Sequence, residues 1–180
     1  MNDLALDVLD FWWTAGPERW FARSDAFDAD CRHRFLASHE AAAAGSYDDW
    51  RGAPHSALAL ILLLDQMPRN LFREDARAFA TDAKALQVAQ EAVAHGFDKA
   101  YANIERRFFH MPFMHSEDLD MQQRCVDLCL AAKDQEGVYY AMVHLDVIRR
   151  FGRFPHRNVA LGRTSTPEEI AFLDGGGFSA

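Results

Sequence analysis

The sequence predicts an all-helical, single-domain fold of about seven to nine antiparallel helices. Apolar residues recur at helical spacing along most of the 180 residues, and no useful length of chain alternates like a strand. Glycines and prolines interrupt the pattern at short intervals, which indicates short connections. With 49% hydrophobic residues, a chain of this length can bury one sizeable core. We therefore expect one domain over residues 1–174 and a mobile tail over 175–180.

The first two helices are predicted from apolar runs and their end signals. An aromatic, apolar segment covers residues 4–13 and should end before Gly16. Trp20 and Phe21 follow it, and such a dense aromatic cluster is typical of a core or an interface rather than of a binding platform, which leaves room for a homodimer. Ser24 is a suitable N-cap for the next helix, and Gly45 a suitable terminator.

The third helix should lie at the centre of the fold. Pro54 opens it, and residues 57–64 are apolar on every side, so that no face suits solvent. Pro68 is expected to end it, because proline lacks the N–H that a helix needs. Residues 71–80 look irregular, and Thr81 starts the next helix.

The remaining helices follow from similar signals. We expect one over residues 103–111, broken near Pro112, and another capped by Ser116 with Leu119 on its apolar stripe. A further helix runs from about residue 135 to residue 150. After it, the stretch from Thr166 to Glu169 matches a capping box with proline at the first helical position.

Composition and charge exclude several classes of partner. The net charge of −8 and the pI near 5.4 argue against general affinity for nucleic acid or anionic membranes. The longest apolar run is far too short to span a bilayer, and the N-terminus is acidic where a signal peptide would be basic. We therefore expect a cytoplasmic protein without membrane association.

The basic residues are unusual in kind, since sixteen of the nineteen are arginine. Arginine codons in a GC-rich genome give the simpler explanation. The functional explanation is bidentate recognition of carboxylates or phosphates.

The three cysteines do not suggest a disulfide framework. Cys125 and Cys129 are four residues apart on a predicted helix, which could supply half of a metal site, but no second Cys/His pair accompanies them. We interpret them as buried apolar residues and predict neither a metal nor a cofactor.

Three polar stretches interrupt the apolar pattern where helices end: residues 65–70, 110–118 and 144–158. The third is the richest, with four arginines, two histidines, an aspartate and an asparagine in fifteen residues. Our central hypothesis is that the three stretches converge on one site. The candidate ligand-binding residues are Asp65, Arg69, Asn70, His115, Glu117, His144, Arg149, Arg153, His156, Arg157 and Asn158.

These residues leave several chemistries open. The arginines beside His156 and Asn158 would suit a phosphate or a carboxylate. Alternatively, the arginines pair with Asp65, Glu117 or Asp118 and with loop carbonyls to fix helix ends. His115, Glu117 and His144 could form a metal set, but the spacing matches no metal motif, and a histidine beside a carboxylate would also serve acid–base catalysis.

Several long motifs, in this order along the chain, resemble those of a known family. They are Phe11-Trp-Trp, Trp20-Phe, residues 62–70, residues 77–82, residues 108–117 and residues 150–158.

On these motifs the chain resembles the bacterial uncharacterised-domain family numbered 924, from about residue 6 to residue 173. The resemblance implies an all-helical, tetratricopeptide-like fold. It implies no activity and supplies no catalytic residues. Met67 departs from the aromatic residue expected at that position, which puts little in doubt.

Two functional hypotheses follow. The first is a binding module that holds an anionic small molecule or a peptide carboxylate. The second is an enzyme in which Asp65, His115, Glu117 and His144 perform acid–base or metal-assisted chemistry while arginines hold the substrate. Histidines with shifted pKa values in an enclosed pocket would favour the enzyme, whereas an open arginine groove without a paired histidine and carboxylate would favour binding.

Overall fold

The central helix is buried on every side, as its sequence predicts. In the computed structural model, which describes residues 3–178 except for the side chain of Asn103, every residue from Ala57 to Leu64 is fully buried. Over that range the chain is all-helical, and no described residue lies in a strand. None of the described helices combines the length and apolar character needed to cross a bilayer.

The helices follow one another through short turns. Counting the central rod as one helix, the described residues form nine α-helical elements. They are α1 (Asp3–Ala15), α2 (Pro17–Trp20), α3 (Asp25–Ala43), the rod α4 (Pro54–Ile61), π-helix (Leu62–Gln66) and α5 (Met67–Leu71), then α6 (Asp82–Ala94), α7 (Asn103–Met114), α8 (Leu119–Ala132), α9 (Gln135–Phe151) and α10 (Pro167–Asp174). Single turns of 3₁₀-helix occupy Asp48–Gly52, Ala76–Phe79, Phe97–Ala100 and Pro155–Arg157.

The expectation that Pro68 ends the central helix is wrong. The rod continues through Pro68 because its middle segment widens into a π-helix, where Met67 N–H donates to the carbonyl of Leu62. Side chains satisfy carbonyls that the changed register leaves free. His39 donates to Leu63 O at 2.8 Å, Thr81 Oγ1 donates to Leu64 O at 2.5 Å, and Arg69 donates to Asp65 O. Such π segments are frequent at functional sites.

Two other helix boundaries differ from the predicted ones. Helix α7 runs past Pro112 to Met114, and α8 is capped by Asp118 rather than Ser116. Asp118 Oδ1 accepts from two backbone N–H groups of the first turn, whereas the Ser116 hydroxyl accepts only from Asp118 N–H. Leu119, expected on the apolar stripe, is 48% exposed because it stands at the start of α8.

The N-terminal aromatic cluster packs inside the chain. The Trp12 and Trp20 rings are stacked with their centroids 6.2 Å apart, and both touch Phe108 of α7 edge-on. Trp20 Nε1 donates to Trp12 O at 2.5 Å. These contacts fix the short α2 against α1 and leave Phe21, 55% exposed, beside it.

The C-terminal third returns across the end of the bundle. Helices α7, α8 and α9 pack side by side in sequence order. Gly152 ends α9 in the left-handed conformation, with φ 68°, and the capping box at Thr166 starts α10 as predicted. The expected mobile tail begins with a glycine turn in which Gly177 N–H donates to Phe172 O at 2.8 Å. Its last two residues, 179 and 180, lie outside the described residues.

Candidate functional site

A cleft of about 430 Å³ brings together residues from all three polar stretches. It lies between the end of the rod, the C-terminal half of α7, the middle of α9 and the turn after α9. Seven of the eleven candidate residues are part of this region, six of them in the wall and Asp65 directly behind it. The wall consists of Trp20, Phe21, Ala22, Gln66, Arg69, Asn70, Arg73, Glu74, Ala78, Phe79, Arg107, Met111, Met114, His115, Glu136, Tyr140, His144, His156, Arg157 and Phe178.

A buried carboxylate orients one histidine of the wall. Asp65 is fully buried on the π segment, and its Oδ1 lies 2.7 Å from His115 Nδ1. Although burial would raise the pKa of Asp65, His115 and Arg69 beside it hold that pKa below its ordinary value. An ionised carboxylate accepts hydrogen bonds only, so Nδ1 carries the proton. His115 therefore keeps a lone pair on Nε2, because its proton is on the Nδ1 that faces Asp65.

Burial and the charge of Arg69 lower the pKa of His115, with Asp65 opposing them only in part. The imidazole is thus neutral at pH 7 and able to accept a proton. A buried carboxylate that fixes the tautomer of a histidine is the arrangement used by general bases in enzymes.

Two more neutral imidazoles face the same cleft. His144 Nδ1 donates to Tyr140 O at 2.8 Å, so its Nε2 is also an acceptor, and its ring centroid lies 6.2 Å from that of His115. Burial, with the neighbouring His115, lowers the pKa of His144 to about 3. Burial, with Arg157 and Arg69 nearby, lowers the pKa of His156 to about 4. We call His115, His144, His156 and Arg157 the cleft cluster.

The guanidinium group of Arg157 is rigidly held. It lies between the rings of Phe79 and Phe154, 4.6 Å from each centroid, and its Nη1 donates to Asp82 Oδ2 at 3.1 Å. Asp82 also accepts two hydrogen bonds of 3.2 Å from Arg69. Burial, with Arg69 close by, lowers the pKa of Arg157 to about 10. Its Nε is buried without a partner among the described residues, and its Nη2 makes no hydrogen bond to them, so Nη2 can donate to another acceptor.

The other arginines of the wall are paired. Arg73 makes a bidentate pair with Asp28, at 2.7 and 2.8 Å, and Asn70 donates to the same carboxylate at 2.8 Å. Arg107 is similarly paired with Asp134, with both contacts at 2.6 Å. These pairs shape the wall and fix its polar groups.

Four candidate residues lie outside the cleft. Glu117 accepts a bidentate pair from Arg163, with both distances 2.8 Å, and a hydrogen bond from Phe154 N. Arg153 makes a bidentate pair with Glu169, at 2.6 and 2.8 Å, which holds the pKa of Glu169 at about 2.

Asn158 donates to Glu169 at 3.1 Å, and Arg149 makes one long contact, 3.4 Å, with Gln123 on the surface. We call Glu117, Arg153, Asn158, Arg163 and Glu169 the C-terminal cluster. Its ion pairs tie the turn after α9 and the start of α10 to the bundle.

The described residues contain no group of three or more His, Cys, Asp or Glu side chains arranged to hold a metal ion. Glu117 in particular faces Arg163 rather than His115 and His144, so the metal set considered from the sequence does not assemble. Cys31, Cys125 and Cys129 are free thiols and fully buried, as their spacing suggested.

Several residues of the cleft are missing from the sequence-based candidates. Asp82, which lies behind the wall as the shared partner of Arg69 and Arg157, is not among the candidates. The sequence signal that could have identified Asp82 is its position in the motif of residues 77–82. Trp20, Phe21 and Phe178 come from the two ends of the chain and meet only in the folded protein.

Comparison with known proteins agrees with the motifs. The model of a bacterial protein family of unknown function, DUF924, matches residues 8–177. A solved structure of a protein of unknown function from Agrobacterium tumefaciens is similar at 46% sequence identity and a TM-score of 0.93. The match covers 96% of this chain and 98% of that chain. A search of curated proteins gave no match.

Proposed function

The chain belongs to the bacterial DUF924 family, and we propose that it is an acid–base enzyme that acts on a small anionic molecule bound in the cleft. The observation that carries this proposal is the pair formed by Asp65 and His115. A fully buried carboxylate leaves the lone pair of a neutral imidazole available beside a rigid, incompletely paired arginine.

His115 supplies the base in this scheme. Its Nε2 takes a proton from a bound water or from the substrate, the imidazolium formed is stabilised by Asp65, and the proton is returned to the product. His144 faces the cleft with a second acceptor nitrogen, which suits it to orienting a hydroxyl or a water molecule. Arg157 holds the anionic group of the substrate.

The binding module is the second candidate, because the same cleft suits a ligand that is not transformed. The paired His115 and Asp65 favour the enzyme over it, since the buried carboxylate can stabilise the imidazolium that forms during proton transfer, which a binding site does not require. We also propose a tetratricopeptide-like superfamily assignment, supported by the side-by-side packing of α6 to α9. A cytoplasmic location is supported by the three free cysteines.

A screen by proton NMR in D₂O tests the enzyme. Pools of small carboxylic acids and their esters are incubated with the protein, because loss of a substrate signal reports proton exchange and new signals report bond cleavage. We expect at least one compound to be turned over, and His115→Asn to lower the rate by roughly 10²–10⁴-fold. No turnover of any compound, or turnover unchanged in His115→Asn, would contradict the proposal.

A further inference from the structure

The charges around the cleft disfavour a ligand with more than one negative charge. At the inner end, Arg69 and Arg157 face Asp65 and Asp82, so two cations meet two carboxylates. At the outer end, Arg73 is neutralised by Asp28, and Arg107 by Asp134 and Glu136. The wall therefore offers no surplus of positive charge. In a partly desolvated site this disfavours a phosphate dianion more strongly than a carboxylate with one charge.

The guanidinium group of Arg157, at the inner end, can nevertheless bind an anion. Arg157 lies between two aromatic rings and donates to Asp82 from Nη1 alone, so that among the described residues neither Nη2 nor the buried Nε has a hydrogen-bond partner. A planar carboxylate complements the fork of a guanidinium group better than other anions of one charge. Because the clamp fixes the guanidinium plane before the ligand arrives, little side-chain entropy is lost on binding.

The wall also has a large apolar part, which comes from distant parts of the chain. Trp20 and Phe21 lie on one side, Met111 and Met114 on another, and Phe178 contacts the His144 ring at 4.3 Å between centroids. Methionine side chains adapt to irregular apolar ligands. A volume of 430 Å³ corresponds to about 14 water-sized groups, far more than a bare carboxylate fills.

We propose that the cleft selects an amphipathic monocarboxylate, with its carboxylate on Arg157 and an alkyl or aryl body against the apolar wall. This assignment names the ligand class of the proposed enzyme and rests on the same cleft, but it does not require His115 to be a base. The two can therefore fail separately.

Calorimetric titration of the full chain with acetate, hexanoate, octanoate and octyl phosphate tests the ligand class. We expect acetate to bind weakly and affinity to rise by up to about fourfold per added methylene as far as octanoate. Octyl phosphate should bind at least tenfold more weakly than octanoate. Equal affinity for acetate and octanoate, or tighter binding of octyl phosphate, would overturn the assignment.

Matched variants locate the binding. Arg157→Lys should weaken octanoate at least tenfold, whereas Arg149→Lys, the same change outside the cleft, should leave it unaltered. Phe21→Ser should weaken octanoate but not acetate, and Tyr139→Ser, at an exposed position outside the cleft, should affect neither. Equal effects of the paired variants would place the ligand elsewhere.

His115→Asn distinguishes the two proposals. It should bind octanoate within about threefold of the unaltered chain, because the carboxylate contact is assigned to Arg157. Octanoate binding without any turnover in the NMR screen would retain the ligand class and reject the enzyme. Turnover of compounds without an apolar body, together with no preference for octanoate in binding, would retain the enzyme and reject the ligand class.

Discussion

Arg153 and Arg157 lie four residues apart and belong to clusters with opposite properties. Arg153 is paired at both ends of its fork with Glu169. Arg157 makes one hydrogen bond to Asp82, and its buried Nε has no partner in the described part of the chain. The C-terminal cluster pairs its charges within the chain, although the neutral Asn158 Oδ1 has no hydrogen-bond partner among the described residues. The cleft cluster keeps acceptor and donor capacity beside an empty volume. Similar residue types thus serve two purposes, and the difference lies in what remains unpaired.

The largest expected effect concerns the carboxylate behind the cleft. Asp65→Asn removes the charge that fixes the His115 tautomer and stabilises its imidazolium, so turnover should fall by roughly 10³-fold or more. Glu169→Gln, the matched change in the C-terminal cluster, should lower the melting temperature without lowering the rate per folded molecule. Rates measured at a temperature where both variants are folded check this. Similar rate losses in both would remove the distinction between the clusters.

The second effect is a loss of stability in mild acid that originates in the cleft cluster. The pKa values of His144 and His156, about 3 and about 4, lie below the ordinary value near 6.5. Below pH 6.5 these two histidines therefore bind protons in the unfolded chain and stay neutral in the folded chain. The unfolding free energy should fall as pH decreases from 6.5 to 4, by up to about 1.4 kcal/mol per pH unit for each histidine.

Urea denaturation at several pH values measures that slope. His156→Gln should remove a part of it, at most half, since His115 and His144 remain, and His33→Gln, at an exposed position on α3, should keep it. A slope unaffected by His156→Gln would mean that the acid sensitivity arises elsewhere.

The third effect distinguishes an arginine of the C-terminal cluster from the arginine of the cleft cluster. Arg163→Lys breaks a bidentate pair with Glu117 and should reduce the unfolding free energy by about 1 kcal/mol while octanoate affinity stays constant. Arg157→Lys should differ in its effect on binding, because octanoate affinity is lost even under conditions where the variant is fully folded. Chemical denaturation with and without octanoate gives both quantities. The comparison fails if both variants lose affinity equally.

The smallest effect concerns the π segment that supports Asp65. Thr81→Val leaves the carbonyl of Leu64 without its side-chain partner, which should cost about 1 kcal/mol of unfolding free energy. The conservative exchange of a surface threonine, Thr14→Val on α1, should cost less. If Thr81→Val has no effect on stability, the free carbonyl is satisfied in another way.

The sequence predicts most helices because their signals are local. Ser24, Gly152 and the capping box at Thr166 mark ends through their own hydrogen bonds, and the apolar run of residues 57–64 predicts a buried rod. The prediction from Pro68 is wrong because the donors that replace its missing N–H lie elsewhere in the chain. These donors are Thr81 and His39, and they allow the π register.

The sequence predicts only part of the site, because only some of the signals of the site are local. Polar stretches at helix ends indicate His115, His144 and Arg157, since their composition is visible locally. Whether an arginine is paired is not local: Arg153 and Glu169 are sixteen residues apart, and Arg163 and Glu117 forty-six. Only the folded structure shows which cations are already neutralised.

The most direct test of this distinction follows the arginine Nε–H signals of the labelled protein by ¹H–¹⁵N NMR during an octanoate titration. We predict that the Arg157 signal shifts and saturates with the same dissociation constant as calorimetry gives. The signals of Arg153 and Arg163 should stay in place, because their forks are occupied by Glu169 and Glu117. A stationary Arg157 signal, or shifts of equal size at Arg153, would contradict the assignment of ligand binding to the incompletely paired arginine.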